Sequence, residues 1–213
     1  MMNINTTIVI SCAGMGTRLG AGTTKALIDI LGKPLIIRQL ECLKDYLDII
    51  VVVGYQADKV IETVKSYRPD VKFEYNLDYK TTGTAASFSK GLAHAKEYIV
   101  AFDGDLLVHP EDLKAFLDND GECIGGCTPT TDNPVLMTIK DENVVEFSRE
   151  RGELEWTGLA KMKTSRLTPG LKHVYMMFEP LLPIAVKRIR TKEIDTQHDL
   201  ENAIKWLNNN YKE

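Results

Sequence analysis

Ser11-Cys12-Ala13-Gly14-Met15-Gly16-Thr17-Arg18-Leu19-Gly20-Ala21-Gly22-Thr23-Thr24-Lys25-Ala26-Leu27 follows a short apolar run, Thr7-Ile8-Val9-Ile10. The run reads as a buried strand. The chain then turns through four glycines, whose backbone N–H groups can approach an anion closely. Thr17 adds a hydroxyl, and Arg18 and Lys25 add two positive charges. A glycine-rich turn after a strand, carrying an Arg and a Lys, suits a polyphosphate. The dinucleotide fingerprint G-x-G-x-x-G fails here because position 19 is leucine. The P-loop pattern fails because neither Lys25 nor Lys33 falls in its frame.

The rest of the chain supplies a sheet for that turn. Asp48–Tyr55 is an apolar, β-branched run and predicts a buried parallel strand. Val71–Asn76 and Glu97–Asp103 predict two more. Helices are predicted from Pro34, over Ala57–Tyr67, Thr84–Ala95 and Pro110–Leu117. This β–α alternation predicts a doubly wound, mixed but mostly parallel sheet in a three-layer αβα arrangement. From residue 121 the rhythm changes. A strand is expected over Glu122–Thr128, a hairpin around Asp141-Glu142-Asn143 and a strand over Glu155–Met162. A helix is expected over Leu171–Leu182, a strand near the sheet edge over Ile184–Ile194 and a terminal helix over Gln197–Asn209. The chain reads as one domain over 1–213, with a nucleotide half (about 1–120) and an acceptor half (about 121–213).

Composition limits the function classes. The 213 residues are 44% apolar and 26% charged, as in a soluble globular protein. No apolar run reaches the ~18 residues a membrane span needs. The N-terminal Met-Met-Asn-Ile-Asn-Thr-Thr carries no basic region ahead of an apolar core, so no secretory signal is expected and a cytoplasmic location is. A net charge of −4 disfavours a general nucleic-acid binder. The four cysteines, Cys12, Cys42, Cys123 and Cys127, have no zinc-site spacing and read as reduced, mostly buried thiols.

Two acidic segments complete the pattern. Phe102-Asp103-Gly104-Asp105 ends a predicted strand, where open α/β sheets bind ligands. Two carboxylates spaced by one glycine can hold a hard cation such as Mg²⁺; a plain turn is the alternative reading. In Glu193-Ile194-Asp195-Thr196-Gln197-His198-Asp199-Leu200, Thr196 and Asp199 have the spacing of a capping box, which leaves Asp195 unexplained.

Three blocks, Ala13–Leu19, Thr24–Leu27 and Gly32-Lys33-Pro34-Leu35, resemble the AGxGTRL, PKxL and GKPL signature of nucleotidyltransferases that make sugar and alcohol nucleotides. The sequence departs from it at Thr24, where proline is usual, and at Ser11-Cys12. The chain is thus similar to the nucleotidyltransferase superfamily, which has a GT-A/Rossmann-like fold. Its Glu-Ile-Asp-Thr ending is most similar to phosphocholine-type cytidylyltransferases. No hexapeptide repeats of an appended β-helix occur in the 213 residues. The resemblance implies Mg²⁺-dependent transfer of a nucleotidyl group, CMP by preference, from NTP to a small phosphorylated acceptor, with release of pyrophosphate.

It also implies residue roles. Asp105 and Asp195 would bind the metal, with Asp103 behind them. Arg18 and Lys25 would act on the phosphates. Ala13, Gly14, Met15, Gly16 and Thr17 would cradle the nucleotide. The turn at Asn76, Gly83, Thr84, Ala85 and Ser87 would line the base pocket, and backbone amides after Gly83 could read the base edge. For Thr84 and Ser87, helix capping serves equally well. Glu153, Glu155, Trp156 and Lys161 fall where the acceptor should bind. Trp156 with carboxylates can cage an ammonium, but it reads equally well as a core aromatic. A sugar 1-phosphate uridylyl- or thymidylyltransferase is one rival. A glycosyltransferase or a non-catalytic nucleotide-binding module is another. A homodimer is open.

Overall fold

The computed structural model describes residues 5–211. The chain runs β1 (Thr6–Cys12), β2 (Asp29–Ile30), β3 (Lys33–Pro34), α1 (Leu35–Cys42), β4 (Ile49–Val53), α2 (Ala57–Tyr67), β5 (Lys72–Tyr75) and α3 (Thr84–Leu92). It continues with β6 (Tyr98–Asp103), β7 (Leu106–Val108), α4 (Pro110–Leu117), β8 (Cys123–Cys127), β9 (Leu136–Lys140), β10 (Asn143–Ser148) and β11 (Leu154–Lys163). It closes with α5 (Tyr175–Phe178), β12 (Ile184–Arg188), β13 (Thr191–Glu193) and α6 (Gln197–Asn208).

Nine strands form one mixed sheet in the order β5-β4-β1-β6-β11-β8-β12-β10-β9. The first four are parallel. β11 then enters antiparallel to β6 and β8. Alternation along the strands feeds two cores, as the period of two requires. Ile8 and Ile10 of β1 join Val51 and pack under α1, α2 and α4 through Leu40, Val60 and Phe116. Val9, Ile50 and Val52 face the other way, against Phe88 of α3 and Phe178 of α5. The result is the three-layer αβα arrangement. The strand order reverses at β1, with β4 on one side and β6 on the other, and Ser11 pairs with Asp103 at the carboxyl ends. A crevice at such a reversal is where open α/β sheets take their ligands.

Helix signals were legible. α4 opens on Pro110 with Glu111 and Asp112 in its first turn, which suits the positive end of the helix dipole. The turn of the predicted hairpin has Asp141 and Glu142 at φ 49° and 59°, the two positive values of a type I′ turn.

Two expectations fail. The helix over 171–182 is only Tyr175–Phe178 followed by a 3₁₀ turn, Glu179–Leu181. Pro180 and Pro183 lack the N–H groups a longer helix needs. The strand over 184–194 splits in two. Its first part, β12, lies inside the sheet between β8 and β10 rather than near the edge. Its second part, β13, leaves the sheet and pairs antiparallel with β7. The short strands β2, β3 and β7 were not foreseen. Among the described residues no helix is long and apolar enough to cross a membrane.

Candidate active site

The loop after β1 lies across the crevice. Gly14, Met15, Thr17 and Arg18 are exposed, while Ala13 is buried. Gly16 has φ 60°, and a Cβ there would meet Lys25 Cγ at 3.0 Å. Only glycine takes that conformation without strain while leaving room for the lysine. Gln56 anchors the far end of the loop. Its Oε1 accepts from Thr23 Oγ1 at 2.8 Å and Thr24 N at 3.2 Å, and its Nε2 donates to Gly22 O at 3.2 Å. Buried Leu19 pins the loop to a third apolar cluster with Leu35, Ile194 and Trp206.

Lys25 meets the carboxylates across the crevice. Its Nζ donates to Asp105 Oδ2 at 2.8 Å and also to Asp195 Oδ1. Arg18 Nη1 lies 2.7 Å from Asp195 Oδ2. Asp105 follows β6. Asp195 precedes α6, whose capping box is present: Thr196 Oγ1 accepts from Asp199 N, and Asp199 Oδ2 accepts from Thr196 N. The β7–β13 ladder and the bond from Ile194 N to Asp105 O, 3.0 Å, hold the two aspartates together. The sequence reading missed Glu193, which the same ladder brings in. One carboxylate oxygen from each of Asp105, Glu193 and Asp195 lies within 4.8 Å of the others. The signal was present in the Glu-Ile-Asp spacing, since residues two apart on a strand share a face.

The electrostatics of this cluster are uneven. Burial, and then the charge of Asp105, push Asp103 up to about 8 against the pull of Lys25. Burial, and then Asp105 and Asp195, push Glu193 up to about 9. Burial works against Asp195 too, yet hydrogen bonding and charge from Lys25, with Arg18 behind, hold it below the usual carboxylate range. Lys25 is held well above its ordinary value: burial opposes its charge, but both aspartates outweigh it. The Asp103 carboxylate faces Gly158, where a Cβ would come within 2.6 Å of Oδ2.

The expected base-pocket turn is occupied by its own chain. Asn76 is buried; its Nδ2 donates to Thr82 Oγ1 at 3.1 Å and Ser87 Oγ at 3.0 Å. The amides of Gly83 and Ala85 donate to the carbonyls of Leu171 (2.8 Å) and Lys172 (3.1 Å). Thr84 Oγ1 accepts from Val174 N at 3.2 Å. The Gly83 and Ala85 amides are therefore not free to read a base edge, and Asn76 and Ser87 hold the turn itself.

The proposed acceptor residues are likewise engaged. Lys161 is 2% exposed, and its Nζ donates to the carbonyls of Leu117 (2.8 Å) and Asn119 (2.7 Å). This corrects its assignment: the ammonium closes the end of α4 rather than facing an acceptor. Glu155 accepts from Thr130 N at 2.7 Å, Thr131 N and Thr131 Oγ1. Glu153 accepts from Ile139 N at 2.8 Å. Trp156 is half-buried and packs between Phe147 and Phe178, with ring centroids 5.9 and 5.8 Å away.

The sequence profile of the MobA-like NTP transferase domain matches residues 8–153. The chain belongs to that family. Among curated proteins, this family member is 33% identical over 121 residues to the bifunctional protein GlmU of Sulfurimonas denitrificans, covering 55% of this chain and 27% of that one. It is 24% identical over 203 residues to GlmU of Sulfurovum sp., covering 93% and 45%. The chain thus spans less than half the length of these relatives. Among solved structures, it superposes on the CTP:phosphocholine cytidylyltransferase LicC of Streptococcus pneumoniae with a TM-score of 0.76 at 21% identity, over 96% of this chain and 100% of that one. The inositol-1-phosphate CTP transferase of T. maritima gives a TM-score of 0.79 at 17% identity, over 95% and 96%. At these identities the likeness is one of fold, a Rossmann-like nucleotidyltransferase fold.

Proposed function

We propose that this NTP transferase moves CMP from CTP to a small phosphorylated acceptor and releases pyrophosphate. The observation that carries this reading is the pairing of a cationic loop, Arg18 and Lys25, with a three-carboxylate cluster at the strand-order reversal. Phosphoryl-type transfer asks a protein for positioning and charge stabilisation rather than a covalent partner. The exposed loop backbone at Gly14–Thr17 binds the triphosphate. Arg18 neutralises the leaving pyrophosphate, and Lys25 steadies charge at the α-phosphorus.

The cluster fits Mg²⁺. Three carboxylates offer the hard oxygen donors that cation takes, and an ammonium already sits against two of them. Asp105 and Asp195 would hold the ion, with Glu193 beside them. When bound, it supplies positive charge to the α-phosphate and the attacking acceptor oxygen. Lys25 then has to exchange its two aspartates for phosphate oxygens, which its long, flexible stem allows.

Both cytidylyltransferase neighbours support CTP as donor. A sugar 1-phosphate acceptor is the second reading, because the curated relatives are GlmU proteins. The test is pyrophosphate release with Mg²⁺ across four NTPs and a panel of phosphocholine, aminoalkylphosphonates and sugar 1-phosphates. CTP with one acceptor is the expected result; UTP or dTTP with a sugar phosphate selects the second reading. Lys25→Ala and Asp105→Ala should each lose on the order of 10²-fold or more in kcat while folding normally. Wild-type turnover in either variant refutes the assignment.

A further inference from the structure

Asp105 sits in the tight turn Asp103-Gly104-Asp105-Leu106, and that turn is held by a side chain from another element. Gln39 of α1 is 3% exposed. Its Nε2 donates to the carbonyl of Asp103 at 3.0 Å and to the carbonyl of Leu106 at 2.8 Å. These carbonyls bracket the turn on either side of Asp105. Carbonyls only accept, so the amide orientation is fixed: the NH₂ group belongs on the turn and Oε1 on the other side. Oε1 is buried and has no hydrogen-bond partner among the described residues. A buried acceptor left without a partner is costly; a leucine or methionine in α1 would remove that cost but take this donor from the two carbonyls. What an apolar residue cannot do is tie the two carbonyls together.

Other restraints on the turn act at single points: Lys25 Nζ donates to Asp105 Oδ2 at 2.8 Å, and Leu106 pairs with Glu193 in the β7–β13 ladder. Gly104 N donates to Ser11 O at 3.1 Å, and Ile194 N donates to Asp105 O at 3.0 Å. Gln39 alone among these spans the turn from one side to the other, and it does so from a helix whose Leu35, Ile36 and Leu40 are fully buried. We infer that Gln39 is a positioning residue for the metal site: it fixes the Asp103–Leu106 turn so that the Asp105 carboxylate is presented to the cation. This rests on the Mg²⁺ reading of the carboxylate cluster. Groups that orient metal ligands without touching the ion are commonly worth about 10–100-fold in metal affinity.

The experiment uses Mn²⁺ as the probe, followed by electron paramagnetic resonance in the ternary complex with CTP. Gln39→Leu and Gln39→Met are compared with wild type and with Asp105→Asn. Either Gln39 variant suffices, so failure of one to fold leaves the other. The expected result is a rise of about tenfold or more in the Mn²⁺ dissociation constant for the Gln39 variants. Metal-free CTP binding should stay within about twofold, because the phosphate loop is untouched. A purely structural role would change the melting temperature and leave Mn²⁺ affinity alone, so wild-type Mn²⁺ affinity in a folded Gln39 variant overturns the inference. Asp105→Asn separates the two claims. If it loses Mn²⁺ while the Gln39 variants do not, the metal site stands and Gln39 has no part in it. If Asp105→Asn binds Mn²⁺ as wild type does, the metal site falls and the inference with it.

Discussion

Replacing Gly83 with alanine places a methyl group against the backbone of a segment 89 residues away in sequence. A Cβ at Gly83 would lie 1.9 Å from Lys172 O and 2.6 Å from Lys172 C. The φ of Gly83 is −98°, which any residue can adopt, so the effect is steric and not conformational. Ordinary contact begins near 3.4 Å, so the strand of chain at 171–172 must withdraw by roughly 1.5 Å. The bonds from Gly83 N to Leu171 O, 2.8 Å, and from Ala85 N to Lys172 O, 3.1 Å, then pass out of hydrogen-bonding range. Two lost bonds at about 1 kcal/mol each, with about 1–3 kcal/mol for overpacking, give roughly 3–5 kcal/mol. For a chain of this length about 2–4 °C accompanies each kcal/mol, so the melting temperature should fall by about 6–20 °C. Thermal unfolding followed by circular dichroism reads the shift. Limited trypsin digestion should cut faster after Lys172. A melting temperature within 2 °C of wild type, with unchanged cleavage, would show that the clamp between this turn and the 171–172 segment does not hold the fold.

Asp48 underlies β1: its buried carboxylate accepts from Thr7 Oγ1 at 2.5 Å and Lys72 Nζ at 2.7 Å. Burial works against its charge, but Lys72 and Thr7 outweigh it and hold its pKa below the usual range. A carboxylate lowered in the folded state stabilises above its unfolded pKa of about 3.9 and loses that contribution as pH falls through the folded value. Asp48→Asn should therefore melt below wild type at pH 7, and the gap should close below about pH 4; a gap that is independent of pH refutes the pairing. Burial pushes the thiol of Cys127 up to about 11 and that of Cys123 up to about 12, and raises Cys12 and Cys42 as well. Ellman's reagent at pH 8 should react slowly with the native protein and release all four thiols on denaturation; rapid native labelling contradicts this. Lys25 neutralises the cluster without nucleotide, so Mn²⁺ should bind the free enzyme weakly. Lys25→Met should tighten that binding on the order of tenfold, more than Arg18→Met does, since Arg18 is 69% exposed. Equal effects of the two substitutions would remove Lys25 from the role of internal cation.

Much of the chain from β1 to α4 was open to reading because its signals are local. α2 and α4 start and stop where apolar spacing, Pro110 and the flanking turns place them. Asp105 and Asp195 were paired through the motif resemblance, and the structure brings their carboxylates into one cluster. The failures are non-local. Leu171–Leu182 has apolar residues at helical spacing, yet its prolines and its bonds to the Gly83 turn decide its path. Lys161 looks like a solvent-facing strand residue, and nothing nearby in sequence announces the carbonyls of Leu117 and Asn119. Glu193 joins Asp105 and Asp195 only through the β7–β13 ladder, a pairing between segments about 85 residues apart. Gln39 sits on an apolar helix face where a polar residue looks like an accident until the Asp103–Leu106 turn arrives against it.

The β7–β13 ribbon has a temporal meaning. Lys25 and Asp195 are separated by 170 residues, and β13 with α6 comes after every other element in chain order among the described residues. Until it docks, a nascent chain holds a cationic loop and one carboxylate turn without the partner that joins them. Such a chain carries Arg18 and Lys25 without the Asp195 carboxylate that both of them meet. A chain cut before Thr191 would keep Arg18 and Lys25 but lose Glu193 and Asp195, two of the cluster's three carboxylates.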